Sequence, residues 1–140
     1  MVSRGITLPE LLVVLLLIAI VTALALPGYR RQMIRVHRTE ALIALLELQT
    51  AEEKYFLRHN AYTSELSAAP PIGLGLALAS ASNQYFLSIA VAVDGQSFIA
   101  TATPNPEGGQ AADRECLAFS IDARGRRAVS GTRDVRYCWK

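Results

Sequence analysis

The sequence is poor in the residues that most active-site chemistry needs. It has two cysteines, Cys116 and Cys138, and two histidines, His37 and His59. A tetrahedral zinc site needs four ligands, and two cysteines supply half of one. Both histidines fall on a stretch with helical periodicity, where an exposed, solvated position is the simpler reading. No nucleophile elbow, metal motif or glycine-rich phosphate loop occurs. Enzyme chemistry is therefore not expected, and no catalytic, metal or cofactor residue is assigned. A net charge of +2 is too small to argue for a nucleic-acid partner by itself. The cysteine pair fits a disulfide, two free thiols or half of a metal site.

What is present is apolar and unevenly placed. The 140 residues allow one domain with one core, at 51% hydrophobic residues and mean hydropathy +0.26. The excess sits in one block, from Ile6 to Leu26. As a helix rising about 1.5 Å per residue, this block spans a hydrocarbon core of roughly 30 Å. Ala23, Ala25 and Pro27 could imitate a signal-peptidase site. The run is too long for a secretory signal, however, and starts directly after Met-Val-Ser-Arg-Gly. Glu10 lies inside it. A carboxylate in a spanning segment is expensive, so it is a functional candidate, with snorkelling at the membrane surface as the alternative.

The company of Glu10 separates the two. Gly5-Ile6-Thr7-Leu8-Pro9-Glu10 resembles the class III signal of type IV prepilins, with Ile6 in place of the usual phenylalanine and Pro9 in place of isoleucine or valine. Pro9 falls in the first helical turn, where a missing N–H loses no partner. The resemblance implies cleavage after Gly5, N-methylation of Ile6, and a register role for Glu10, which would neutralise the new amine in its own or an adjacent subunit. It divides the chain into a leader at 1–5, a membrane and filament-core helix at 6–28, and a periplasmic head at 29–140. Pro27-Gly28 predicts a kink in a helix that continues. Arg30, Arg31, Arg35 and Arg38 follow the apolar block while Arg4 alone precedes it, which by charge would keep the head in the cytoplasm. Large domains cross largely regardless of charge, and export favours a disulfide between Cys116 and Cys138.

Beyond the block, residues 29–58 are amphipathic. Ala41, Leu45, Leu48 and Tyr55 share one face, widened by Leu42, Leu46 and Ala51, with Glu52 near its edge. Residues 60–83 form a long apolar connection that could fold back on the core or make a subunit contact; the resemblance to pilins implies the contact. Period-two alternation then marks strands at Tyr85–Val93, Phe98–Thr103, from Leu117 through Ile121, and near Arg127–Val129, with Asp94-Gly95 as a hairpin signal. One long helix on three or four antiparallel strands is an α+β roll. The final segment is too polar to pack itself, and a disulfide would pin it.

The Ala41–Tyr55 stretch, Asn60-Ala61-Tyr62-Thr63, Tyr85-Phe86, Thr101–Pro104 and Cys138-Trp139 resemble PilE-type minor pilins. That implies a structural subunit helping to start a pilus. It would be held single-pass in the inner membrane, then sit in a pilus at the cell surface. Its partners would be the prepilin peptidase and methyltransferase, other minor pilins, the major pilin and the inner-membrane assembly platform. A type II secretion pseudopilin and a major pilin are the near alternatives. DNA uptake is a further one: Arg124, Arg126 and Arg127 lie in a basic C-terminal third and could meet phosphates. A solvated surface is the preferred reading there, and nucleic acid is not an expected partner.

Overall fold

The computed structural model describes residues 7–140, so Gly5 and Ile6 lie outside the described residues. Helix α1 runs from Leu8 to His59. Residues up to Met33 and residues Ile34–Lys140 form two units. In the first, α1 is leucine-, valine- and alanine-rich, and its most apolar window has a mean hydropathy of 2.8 with no residue buried. By length and composition it is able to cross a membrane.

The head, Ile34–Lys140, is built on the remainder of α1. Ala41, Leu42, Leu45 and Leu48 recur at helical spacing and are buried. They join Tyr85, Leu87, Phe98, Ala100, Ala102, Phe119 and Ile121 in one core. Burying each large apolar side chain contributes about 1.5–3 kcal/mol. Leu46, placed on this face by the sequence, is exposed instead, as is Ile43. Glu52 is fully buried, although the sequence put it only near the edge.

Strands β1 (Tyr85–Val91), β2 (Phe98–Pro104), β3 (Phe119–Asp122) and β4 (Arg127–Val129) form an antiparallel meander in chain order. Tyr85 lies opposite Pro104, Ala102 opposite Phe119, and Phe119 opposite Val129. Alternation puts Tyr85, Leu87, Phe98, Ala100, Phe119 and Ile121 on the core face. The first strand ends at Val91 rather than Val93. The chain already turns at Ala92, whose carbonyl accepts from Gly95 N at 2.8 Å, and Gly95 has φ +67°. The third starts at Phe119 because Leu117 is left-handed, at φ +54°, with its N–H given to the Asp113 carbonyl.

The connection at 60–83 curls on itself, through Leu74 N to Glu65 O and Leu76 N to Leu66 O. It buries Leu66 and Leu74 and leaves Ile72 and Leu78 exposed. A Cβ on Gly73 would collide with the Glu65 carbonyl, so the curl needs glycine there. Its last residues lie along the outer edge of β1, with Leu87 N donating to Leu78 O at 2.8 Å.

Candidate functional site

The features that distinguish this head from a plain helix-on-sheet domain gather around the cysteines. Cys116 and Cys138 form a disulfide with Cα atoms 5.7 Å apart. Between them the chain returns beside itself: Gly131 N donates to Cys116 O and Arg133 N to Glu115 O. A short helix α2 (Val135–Cys138) follows, capped by the Asp134 carboxylate accepting from Tyr137 N at 2.8 Å. The tail then packs, contrary to its polar appearance. Trp139 meets Phe119 edge to face at 6.1 Å and donates through Nε1 to Ala128 O.

This segment is fastened to α1 by charge. Arg38 donates from Nε and Nη2 to the two oxygens of Asp113, both at 2.7 Å, and from Nη2 to Glu115 at 3.0 Å. The Asp113 side chain is 1% exposed. It also accepts from Gln110 Nε2, Glu115 N and Cys116 N. The Asp113 hydrogen bond raises the Arg38 pKa further above its already high ordinary value. The hydrogen bond from Arg38 holds Glu115 below the usual carboxylate range. Such a pair, bidentate and with its remaining lone pairs filled, offsets the penalty of burial. Gln110 also reaches Ile34 O at 3.4 Å, adding a neutral clasp between the same elements.

Sequence reading counted Arg38 only as one of four cations after the apolar block, and assigned nothing to Asp113 or Gln110. A local signal did exist in Asp113-Arg114-Glu115, which places alternating charges directly before Cys116. The partner of Asp113 lies 75 residues away, and no local pattern names it.

Positive charge is concentrated on the same third of the chain. Seven of the fourteen cations but three of the twelve acids fall within residues 114–140, a local net of +4 against a chain total of +2. Arg126 is tied to Asp122 at 2.6 Å and Arg133 faces Glu115 at 3.6 Å. The backbone N–H of Arg126 is the main cause holding Asp122 below the ordinary carboxylate range, with the Arg126 side chain adding to it. Arg114, Arg124, Arg127, Arg136 and Lys140 have no carboxylate partner among the described residues. Arg127 lies over the Trp139 ring at 4.8 Å. Of the three arginines singled out in the sequence, Arg124 and Arg127 are thus uncommitted, and Arg126 is neutralised.

The N-terminal candidates are simpler. Glu10 is exposed in the first turn of α1. Helix α1 continues through Pro27 and Gly28. Nothing lies within 4 Å of a Cβ built on Gly28. His59 is exposed, whereas His37 is half-buried, with Nδ1 3.1 Å from Ser82 Oγ. No group of side chains suited to a metal ion occurs among the described residues.

The family model described as "Type IV minor pilin ComP, DNA uptake sequence receptor" matches residues 27–120, well over half of the chain. The chain belongs to this family of type IV pilins. Among curated pilins, the type IV major pilin protein PilE1 of Neisseria gonorrhoeae is 27% identical over 129 residues, covering 89% of this chain and 64% of that protein. The type IV major pilin protein PilA of Myxococcus xanthus (strain DK1622) is 34% identical over 74 residues, covering 51% of this chain and 34% of that one. The matched part of this pilin thus spans less than two thirds of either relative. A type IV pilin structure from Shewanella oneidensis superposes with a TM-score of 0.53 at 23% identity, over 76% of this chain and 98% of the other, which supports the fold.

Proposed function

We propose that this pilin is a low-abundance subunit whose head binds DNA for uptake. The observation that carries this is the concentration of unpaired arginines beside the disulfide, with Arg127 stacked on Trp139 and Arg124 on the adjacent turn. The matched family model's description as a minor pilin and DNA uptake sequence receptor supports it. It reverses the order drawn from sequence, where a solvated surface was preferred to a DNA contact at these arginines. Phosphates would release counterions on meeting Arg124, Arg127 and their neighbours. The test is a gel shift of duplex DNA by the full chain in micelles. Affinity should fall with salt, and Arg124→Ala and Arg127→Ala should each lower the slope of log affinity against log salt by about 1. Failure to bind at low salt, or slopes unchanged in both variants, removes the DNA reading.

The same proposal includes storage and assembly. Residues 1–5 would be removed, Ile6 methylated, and residues 6–28 held in the inner membrane until packed into a filament. Glu10 would set the register of one subunit on the next by neutralising the Ile6 amine, since an unpaired charge in hydrocarbon is costly. Pro27-Gly28 would be the yielding point of α1 inside the filament. A structural role in starting a pilus is the second reading. A groove of about 600 Å3 between α1 and the 60–83 connection favours it, with Ile43 and Leu46 on its wall as a candidate subunit contact. Intact mass from cells with and without the prepilin peptidase tests the precursor step. Loss of Met1–Gly5 is expected, and an uncut chain in peptidase-positive cells would exclude it.

A further inference from the structure

A second cavity, of about 350 Å3, lies between α1 and the C-terminal residues. It is lined by Arg35, Arg38 and Thr39 on one side and Tyr137, Cys138 and Lys140 on the other. Three of the six are cations and none is acidic. Asp113 and Glu115, which balance Arg38, are not part of the wall. They engage Arg38 through Nε and Nη2, so both N–H donors of Nη1 have no protein acceptor among the described residues. Arg38 is 9% exposed, so the guanidinium is held rigidly in the wall by the ion pair behind it. Arg35 and Lys140 are exposed and have no carboxylate partner among the described residues. The Thr39 hydroxyl donates to Arg35 O at 3.2 Å, leaving its oxygen to accept. A planar donor fixed in place, two exposed cations and a hydroxyl acceptor match a phosphate carrying a small polyol.

We propose that this cavity binds the phosphate of an anionic phospholipid headgroup. Its place in the chain favours lipid over other phosphates. Arg35 follows Leu26, the last residue of the apolar run, by nine positions, with Arg30 and Arg31 between them. Cations just beyond a span meet the headgroup layer. The inference rests on the reading of residues 6–28 as the membrane-held segment. Headgroup binding would dock the C-terminal end of the head at the membrane surface while the subunit waits, and extraction into a filament would have to break that contact.

The experiment uses the full chain in zwitterionic micelles, with the amides of Thr39, Tyr137 and Lys140 followed by NMR. It is titrated separately with phosphatidylglycerol, glycerophosphoglycerol, inorganic phosphate and duplex DNA. Both glycerol phosphates should give saturable shifts, weakened at least tenfold by Arg35→Gln and by Lys140→Gln and left unchanged by Arg124→Ala. Inorganic phosphate binding as tightly as the lipid would overturn the headgroup assignment. DNA shifting the same amides more tightly would overturn it in favour of nucleic acid. No shift with any probe would remove the site. Carbonate extraction of membranes reports the anchoring separately. A chain that stays in the pellet yet fails to bind headgroup sinks this inference alone, and a chain that washes off sinks the reading beneath it.

Discussion

From Leu11 to Leu26 every large apolar side chain is exposed, whereas in Ile34–Lys140 the covered groups include charges, Arg38, Glu52 and Asp113. The two units invert the usual rule in opposite ways. The first leaves bare what water disfavours, so its complement must come from outside this fold. The head closes on itself, sheathing leucines with strands and pairing Arg38 with Asp113, while Glu52 receives one hydrogen bond, from Thr63 N. Type IV pilins as a family assemble with one another, and a chain that joins a bare apolar helix to a self-contained head suits that use.

The largest expected effect comes from erasing the one charge of the apolar run. Glu10→Leu should abolish filaments recovered by shearing while leaving the chain in membranes; normal filament yield would make the carboxylate dispensable. Next is the buried pair. Asp113→Ala leaves Arg38 with Glu115 alone and leaves Gln110 Nε2 and the Cys116 N–H without this acceptor, and should destabilise the head by about 3 kcal/mol, read from urea unfolding in micelles. A loss under about 1 kcal/mol would mean that water replaces the carboxylate.

Glu52 sharpens the comparison, because it is the buried charge without adequate compensation. One oxygen accepts from Thr63 N at 3.2 Å and the other has no partner among the described residues. Burial pushes its pKa up to about 7 from the ordinary 4.5. The folded state therefore holds this proton more tightly than the unfolded chain. Its contribution is present below about 4.5 and is lost as pH rises towards about 7, with a slope approaching ~1.4 kcal/mol per pH unit. Glu52→Gln should flatten that part of the stability–pH curve and leave the head more stable than wild type above pH 7; an unchanged slope would assign it to another group. The smallest effect is expected at Asp134, where replacement by alanine removes the α2 cap and should lower stability by about 1 kcal/mol without loss of the disulfide.

The sequence made the apolar helix of the first unit legible, because hydropathy and length are local properties. It also disclosed the α+β roll, through the change of period from helical to two. It failed where distant parts decide. Arg38 looked like one more solvated cation until Asp113 was brought to it. Leu46 looked like core, yet the core closes on Leu45 and Leu48 and leaves it outside. Val93 and Leu117 carried the strand pattern past points where turns had already begun. The basic strip was visible as composition, but only the fold separates Arg127, stacked on Trp139, from Arg126, neutralised by Asp122.

The rims of the sheet carry a last consequence. The outer side of β1 is occupied by Leu78 and Ser80 through backbone hydrogen bonds, and β4 is three residues long, with the Trp139 indole on the carbonyl of Ala128. These contacts cover the Tyr85–Leu87 part of the β1 rim and one carbonyl of β4, and so shorten the edge open to strand addition. Open strand edges are where copies of one fold can fuse into cross-β structure. Two short caps, one from the connection and one from a single tryptophan, thus trim the edges on which one head could knit to another into amyloid-like ribbons.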